Sequence, residues 1–183
     1  MSALASLRPL TIEDVRHFTV EEFDRLVETG ILTDEERVEL LEGMLIPMMP
    51  IGDQHAACVK RLNDLLTARL SGRALLGVQD PIGLPTSRPY PDLAVLRRRS
   101  DYYATGKPQA PDIFLVIEVA DTSLARDRDV KLPAYGRAGI PESWIVDLTG
   151  DAVIAGRDPS PTDRKSTRLN SSHSRASRMP SSA

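Results

Sequence analysis

Residues 113–119 read Ile113-Phe114-Leu115-Val116-Ile117-Glu118-Val119, apolar at every position but one. β-Branched residues dominate the run and it is too short for a core helix, so it reads as a strand. Its apolar character is continuous instead of alternating, which predicts a strand covered on both faces, at the centre of a mixed sheet. Glu118 is then out of place, because a carboxylate inside an apolar strand is costly unless it is paired or holds a metal.

Working outward, short β-prone runs bounded by Gly, Pro and Asp stand at 75–79, 93–96 and 144–148. Between the last two strands, 127–137 contains a helical turn or two that ends at Ala138-Gly139, and Pro133 predicts that its regular part starts near Leu132. Upstream, 54–70 places Cys58, Leu62, Leu65, Leu66 and Leu70 at helical spacing, an amphipathic helix to pack on the sheet. Thr19-Val20-Glu21-Glu22 is a capping box opening a helix that carries Phe23, Leu26 and Val27 and stops at Gly30. Thr33-Asp34-Glu35-Glu36 repeats that pattern and predicts a second, shorter helix bearing Val38, Glu39 and Leu41 before Gly43. Met44 to Met49 follows as a strand with Pro47 at an edge or bulge, then a turn at 50–53. The order of elements is that of an α/β domain built on one mixed sheet.

The chain has 183 residues, 23 Lys+Arg, 26 Asp+Glu, a net charge of −3 and one cysteine. This length supports one domain. Cys58 alone makes no internal disulfide, and no apolar stretch approaches the length of a spanning helix, so the expectation is a cytoplasmic protein with no membrane partner. The last segment, 163–183, is rich in Ser and Arg and reads as a disordered tail. Its opening, DRKSTRLNSSH, is also what the codons of a sequencing-library adapter would encode, so it is set apart as foreign, with the native C-terminus expected to be truncated. That segment holds five of the basic residues and one of the acidic ones, which leaves 18 against 25 and a net −7 for the body. The expected organisation is an N-terminal arm, 1–17, then a domain at 18–158.

The chemistry gathers at strand ends. Pro91-Asp92 opens the strand at 93–96, and Glu118 lies near the end of the central one. Two carboxylates on neighbouring strands suit a hard cation such as Mg²⁺, which takes one or two carboxylates and completes its shell with waters and substrate phosphate. Glu39 offers a third oxygen ligand or a hold on a water, and the Lys131 ammonium can offset charge gathering on a phosphate. Each has a plainer reading: a turn for Asp92, a buried ion pair with Lys131 or Arg126 for Glu118, a solvated helix face for Glu39, a surface pair with Asp127 for Lys131.

Glu39-Leu40-Leu41-Glu42-Gly43, Asp53-Gln54-His55, Pro91-Asp92-Leu93, Val116-Ile117-Glu118-Val119, Asp129-Val130-Lys131-Leu132, Tyr135 and Gly139-Ile140-Pro141-Glu142-Ser143-Trp144, in this order and spacing, resemble the Uma-type family of restriction endonucleases, within the PD-(D/E)xK nuclease superfamily. The resemblance runs from about Phe18 to about Asp158. It implies a restriction-endonuclease-like core, a central mixed β-sheet flanked by helices, and Mg²⁺-dependent (or Mn²⁺-dependent) hydrolysis of DNA phosphodiester bonds. Carried over by position, Asp92 and Glu118 are the metal ligands and, with Lys131 and Glu39, the catalytic set. A strict E-x-K pattern would have lysine where Ala120 stands, so Lys131 is expected to reach the site from the following helix. Met44 departs from the family's tendency to carry Glu after the Gly. His55, Tyr135 and the basic run Arg97-Arg98-Arg99 are candidate substrate contacts. The alternative is a non-catalytic nuclease fold, as a monomer or homodimer, that binds nucleic acid or a protein partner.

Overall fold

The computed structural model describes residues 11, 14–33 and 35–157; the segment 163–183 and most of the arm at 1–17 lie outside the described residues. Helix α1 (Val20–Glu28) begins where the capping box places it. The Thr19 side chain accepts from the Glu22 N–H, and the Glu22 carboxylate accepts from the Thr19 N–H. Phe23 is buried, packed with Val20 and Leu40.

The second capping pattern does not open a helix. A turn forms, with the Glu36 N–H donating to the Thr33 carbonyl and the Glu36 carboxylate accepting from the Thr33 N–H. It is not propagated, because Arg37 adopts φ +45°, outside the helical region. Val38–Leu41 instead forms strand β1, paired antiparallel with β2 (Met44–Pro47). The loop joining them is Glu42-Gly43, both at positive φ (49° and 80°), the two-residue turn whose twist suits a hairpin. Gly43 is required there: a Cβ would lie 2.7 Å from that of His17.

The main sheet has five strands in the order β3 (Leu75–Val78), β4 (Leu93–Leu96), β5 (Ile113–Ala120), β6 (Glu142–Asp147), β7 (Ala152–Arg157). The β5–β6 pair is parallel and the others antiparallel. The apolar run thus stands in the centre. Alternate residues of β5 serve opposite faces. Ile117 and Val119 pack with Val59 and Leu62 of helix α2 (Asp53–Leu70), whereas Val116 packs with Tyr135 and Ile140 on the other side. Edge strand β7, half exposed, is absent from the sequence reading. These features make a restriction-endonuclease-like α/β fold.

After β5 the chain enters a helix in three parts: α3 (Leu124–Arg126), a π-helical turn at Asp127–Lys131, and α4 (Leu132–Ala138), which stops at Gly139 with φ +83°. The regular part does start at Leu132. Pro133 has no N–H for the Asp129 carbonyl, and its ring crowds that carbonyl. The backbone widens there, so that the Leu132 N–H donates to the Asp127 carbonyl five residues back.

Candidate active site

β4 and β5 are in register so that Leu93 faces Ile117. Asp92 immediately precedes Leu93 and Glu118 immediately follows Ile117, so the two carboxylates come from the same end of these strands, and both line one cleft. Both are buried. Asp92 is held on three sides. Its Oδ2 accepts from the Val119 N–H at 2.8 Å and lies 3.0 Å from His55 Nε2, and its Oδ1 accepts from Gln79 Nε2 at 3.1 Å. Burial alone would raise the Asp92 carboxyl, but these bonds keep it below its ordinary value. His55, from the first turn of α2, is raised by its bond to Asp92.

Glu118 is the opposite case. Burial drives its carboxyl up to about 8; the Lys131 ammonium works against this, and the nearby acids Asp127 and Asp92 add to it. Tyr135 OH donates to Glu118 Oε1 and is itself held protonated, first by burial and then by that carboxyl. Lys131 Nζ lies 3.1 Å from Glu39 Oε2 and 3.4 Å from Glu118 Oε1, and its side chain is 7% exposed. Burial would lower a lone lysine, but Glu118, Glu39 and Asp127 outweigh it and hold the ammonium charged.

The structure brings Glu39, Asp92, Glu118, Lys131 and His55 around one cleft. Glu39 arrives from strand β1 and not from a helix, and it pairs with the lysine. Lys131 arrives from the helix after β5 and is buried, so the surface-pair reading does not hold. Tyr135 is 1% exposed and faces Glu118 from inside the core, which removes it as a substrate contact. The run 97–99 lies at the far end of β4, five residues or roughly 16 Å from Asp92. There Arg97 stacks on Phe114 and Arg99 on Tyr103, with Arg99 also paired to Asp101.

Two residues of the site were not singled out in the sequence. Gln79 follows β3 with φ +56° and reaches Asp92 across the sheet. Asp127, 3% exposed, takes a hydrogen bond from Ser123 Oγ at 2.5 Å, and burial raises its carboxyl. Its spacing of four from Lys131 was visible; its burial required the sheet.

Four acids therefore crowd one lysine and one histidine. Among the described residues no three His, Cys, Asp or Glu side chains form a ready-made metal cage. Mg²⁺ needs only one or two carboxylates. The surplus of buried acid, with Glu118 unable to ionise at its ordinary pH, is a donor set that a divalent cation fits.

A consequence is testable on the metal-free protein. The folded Glu118 keeps a proton that the unfolded chain releases between its ordinary 4.5 and about 8. The native state then binds more protons, so stability falls as pH climbs through that interval. His55, also raised, acts in the same direction as pH passes its folded value. Thermal melts in EDTA should show the midpoint dropping from pH 5.5 to 8.5, and Glu118→Gln should flatten most of that slope. An unchanged slope in the variant would contradict the assignment to Glu118.

The comparisons with known proteins agree with this architecture. The Uma2 family, described as "Putative restriction endonuclease", matches residues 20–178, a span that overlaps the segment read from the sequence as foreign. The crystal structure of a "putative nuclease belonging to DUF820" from Anabaena variabilis superposes with a TM-score of 0.64 at 19% identity, over 76% of this chain and 79% of that one. No curated protein matches. Among the described residues no helix is long and apolar enough to cross a membrane. By its family match over most of its length and by its fold, the chain belongs to the Uma2 family of restriction-endonuclease-type proteins.

Proposed function

We propose that the protein is a metal-dependent endonuclease that hydrolyses DNA phosphodiester bonds. The observation that carries this reading is a buried lysine, paired to Glu39 at 3.1 Å and 3.4 Å from Glu118, in the same cleft as Asp92. A purely structural core gains little from such an arrangement, because apolar residues of similar volume would serve stability as well or better.

Asp92 and Glu118 would hold Mg²⁺ or Mn²⁺. When bound, the cation polarises the scissile phosphate and lowers the pKa of a water. The protein's own groups supply the rest. His55, Gln79 and the Val119 N–H fix the Asp92 carboxylate in one orientation. Tyr135 does the same for Glu118. Glu39 anchors Lys131, whose ammonium faces the position where the phosphate gathers negative charge and orients the attacking water. The water oxygen bonds to phosphorus, the bond to one sugar oxygen breaks, and that oxygen leaves as a hydroxyl end.

Calorimetric titration with Mn²⁺ separates this reading from a non-catalytic nuclease fold. The expected result is binding that Asp92→Asn and Glu118→Gln each abolish, with affinity rising with pH as Glu118 gives up its proton. Absence of such binding would favour the non-catalytic alternative.

A further inference from the structure

We propose that Arg37 and Arg126 form a two-sided clamp at the mouth of the cleft that grips backbone phosphates of duplex DNA on either side of the scissile one; this rests on the nuclease reading above. The cleft floor is acidic, and the body of the chain is acidic as a whole, so a polyanion has to be drawn in by cations placed at the rim. Arg37 and Arg126 are the two arginines that line this cleft.

Arg37 stands two residues before Glu39. It lies just outside the start of β1, and both residues line the cleft, Glu39 buried at its floor and Arg37 exposed, where phosphates flanking the scissile one would pass. Its backbone is held at φ +45°, a strained conformation for a non-glycine residue, and the Met48 N–H secures its carbonyl at 2.8 Å. Its side chain is exposed and makes no hydrogen bond or ion pair among the described residues. Many other arginines of the fold are neutralised: Arg88 by Asp24, Arg99 by Asp101, Arg128 by Asp129, Arg137 by Glu42.

Arg126 faces it from α3, one residue before Asp127. Its Nη1 donates to the Pro47 carbonyl at 3.1 Å, tying the helix to the β1–β2 hairpin, and most of its five donors remain available. Met48, Met49 and Ile51 line the same cleft, with Met49 and Ile51 exposed, so the loop at 48–51 adds no carboxylate to it.

The test is fluorescence anisotropy of a short fluorescein-labelled duplex DNA with the full chain in Ca²⁺, over a series of salt concentrations. Arg37→Gln and Arg126→Gln should each weaken binding about tenfold and lower the slope of log K against log salt by about 1, as loss of one phosphate contact requires. Arg37→Lys should keep the slope. Arg73→Gln, exposed at the opposite end of β3, should match wild type. Variants that bind as tightly as wild type with an unchanged slope would overturn the clamp and leave the nuclease reading standing; so would an equal loss in Arg73→Gln. Wild type that binds no duplex DNA would overturn both. Among the described residues Arg37 has no side-chain partner to lose, so its variants decide the matter even if Arg126→Gln misfolds.

Discussion

Asp92→Asn and Glu118→Gln are each expected to lower single-turnover cleavage by at least about 10³-fold while leaving the fold intact. The magnitude follows from losing several kcal/mol of charge stabilisation in the transition state. The preservation of fold follows from the hydrogen bonds. In Asp92→Asn the amide oxygen can still accept from the Val119 N–H and stay beside His55, and Gln79 can turn its own amide to meet the new NH₂. In Glu118→Gln the amide oxygen keeps the Tyr135 and Lys131 contacts. Neither substitution makes a cavity, so a folded protein at the assay temperature is part of the expected result, with the melting temperature of Glu118→Gln near wild type at pH 5.5, where Glu118 already carries its proton. Loss of cleavage accompanied by unfolding would not support the assignment; full cleavage by either variant would contradict it.

Lys131→Met should show the converse pattern. With the ammonium gone, Glu39 and Asp127 lose their buried counter-charge, at a cost of about 3–5 kcal/mol. For a domain of ordinary stability, about 5–15 kcal/mol, that is a large fraction. Chemical denaturation should therefore show a strongly lowered midpoint with little change in the denaturant slope. Adding Glu39→Gln removes the orphaned carboxylate and should recover most of the loss, because the penalty belongs to the unpaired charge. Neither variant should cleave DNA. If the single variant were as stable as wild type, Glu39 and Lys131 would not be the tight buried pair seen here. If the double variant cleaved, Lys131 would have only a structural task.

Much of the site was legible in the sequence because its members violate local expectation. Glu118 interrupts an otherwise apolar strand, and Asp92 stands just before the neighbouring one behind a proline; the pairing of β4 with β5 brings both to one cleft. The continuous apolar run also placed β5 correctly at the centre of the sheet. The error at 33–43 came from trusting a capping pattern over a turn pattern. Thr33 and Glu36 do bond as a cap would, but Val38 to Leu41 and Met44 to Pro47 flank Glu42-Gly43, and that two-residue turn wins by pairing two strands. Glu39 kept its place in the site for a different reason than a helix would have given. Gln79 and Asp127 were illegible because their roles depend on tertiary placement: one crosses from β3 to Asp92, the other is turned inward where the helix widens ahead of Pro133. Charge density marked the basic run at 97–99, but it lies at the far end of β4 and does not line the cleft.

Supercoiled plasmid incubated with purified protein in Mg²⁺ or Mn²⁺ tests the account most directly, with wild type beside the Asp92→Asn, Glu118→Gln double variant. Wild type should convert supercoiled DNA to nicked and linear forms and stop on addition of EDTA, and the folded double variant should leave the plasmid intact. Equal cleavage by the two, or cleavage by wild type that persists in EDTA, would contradict it.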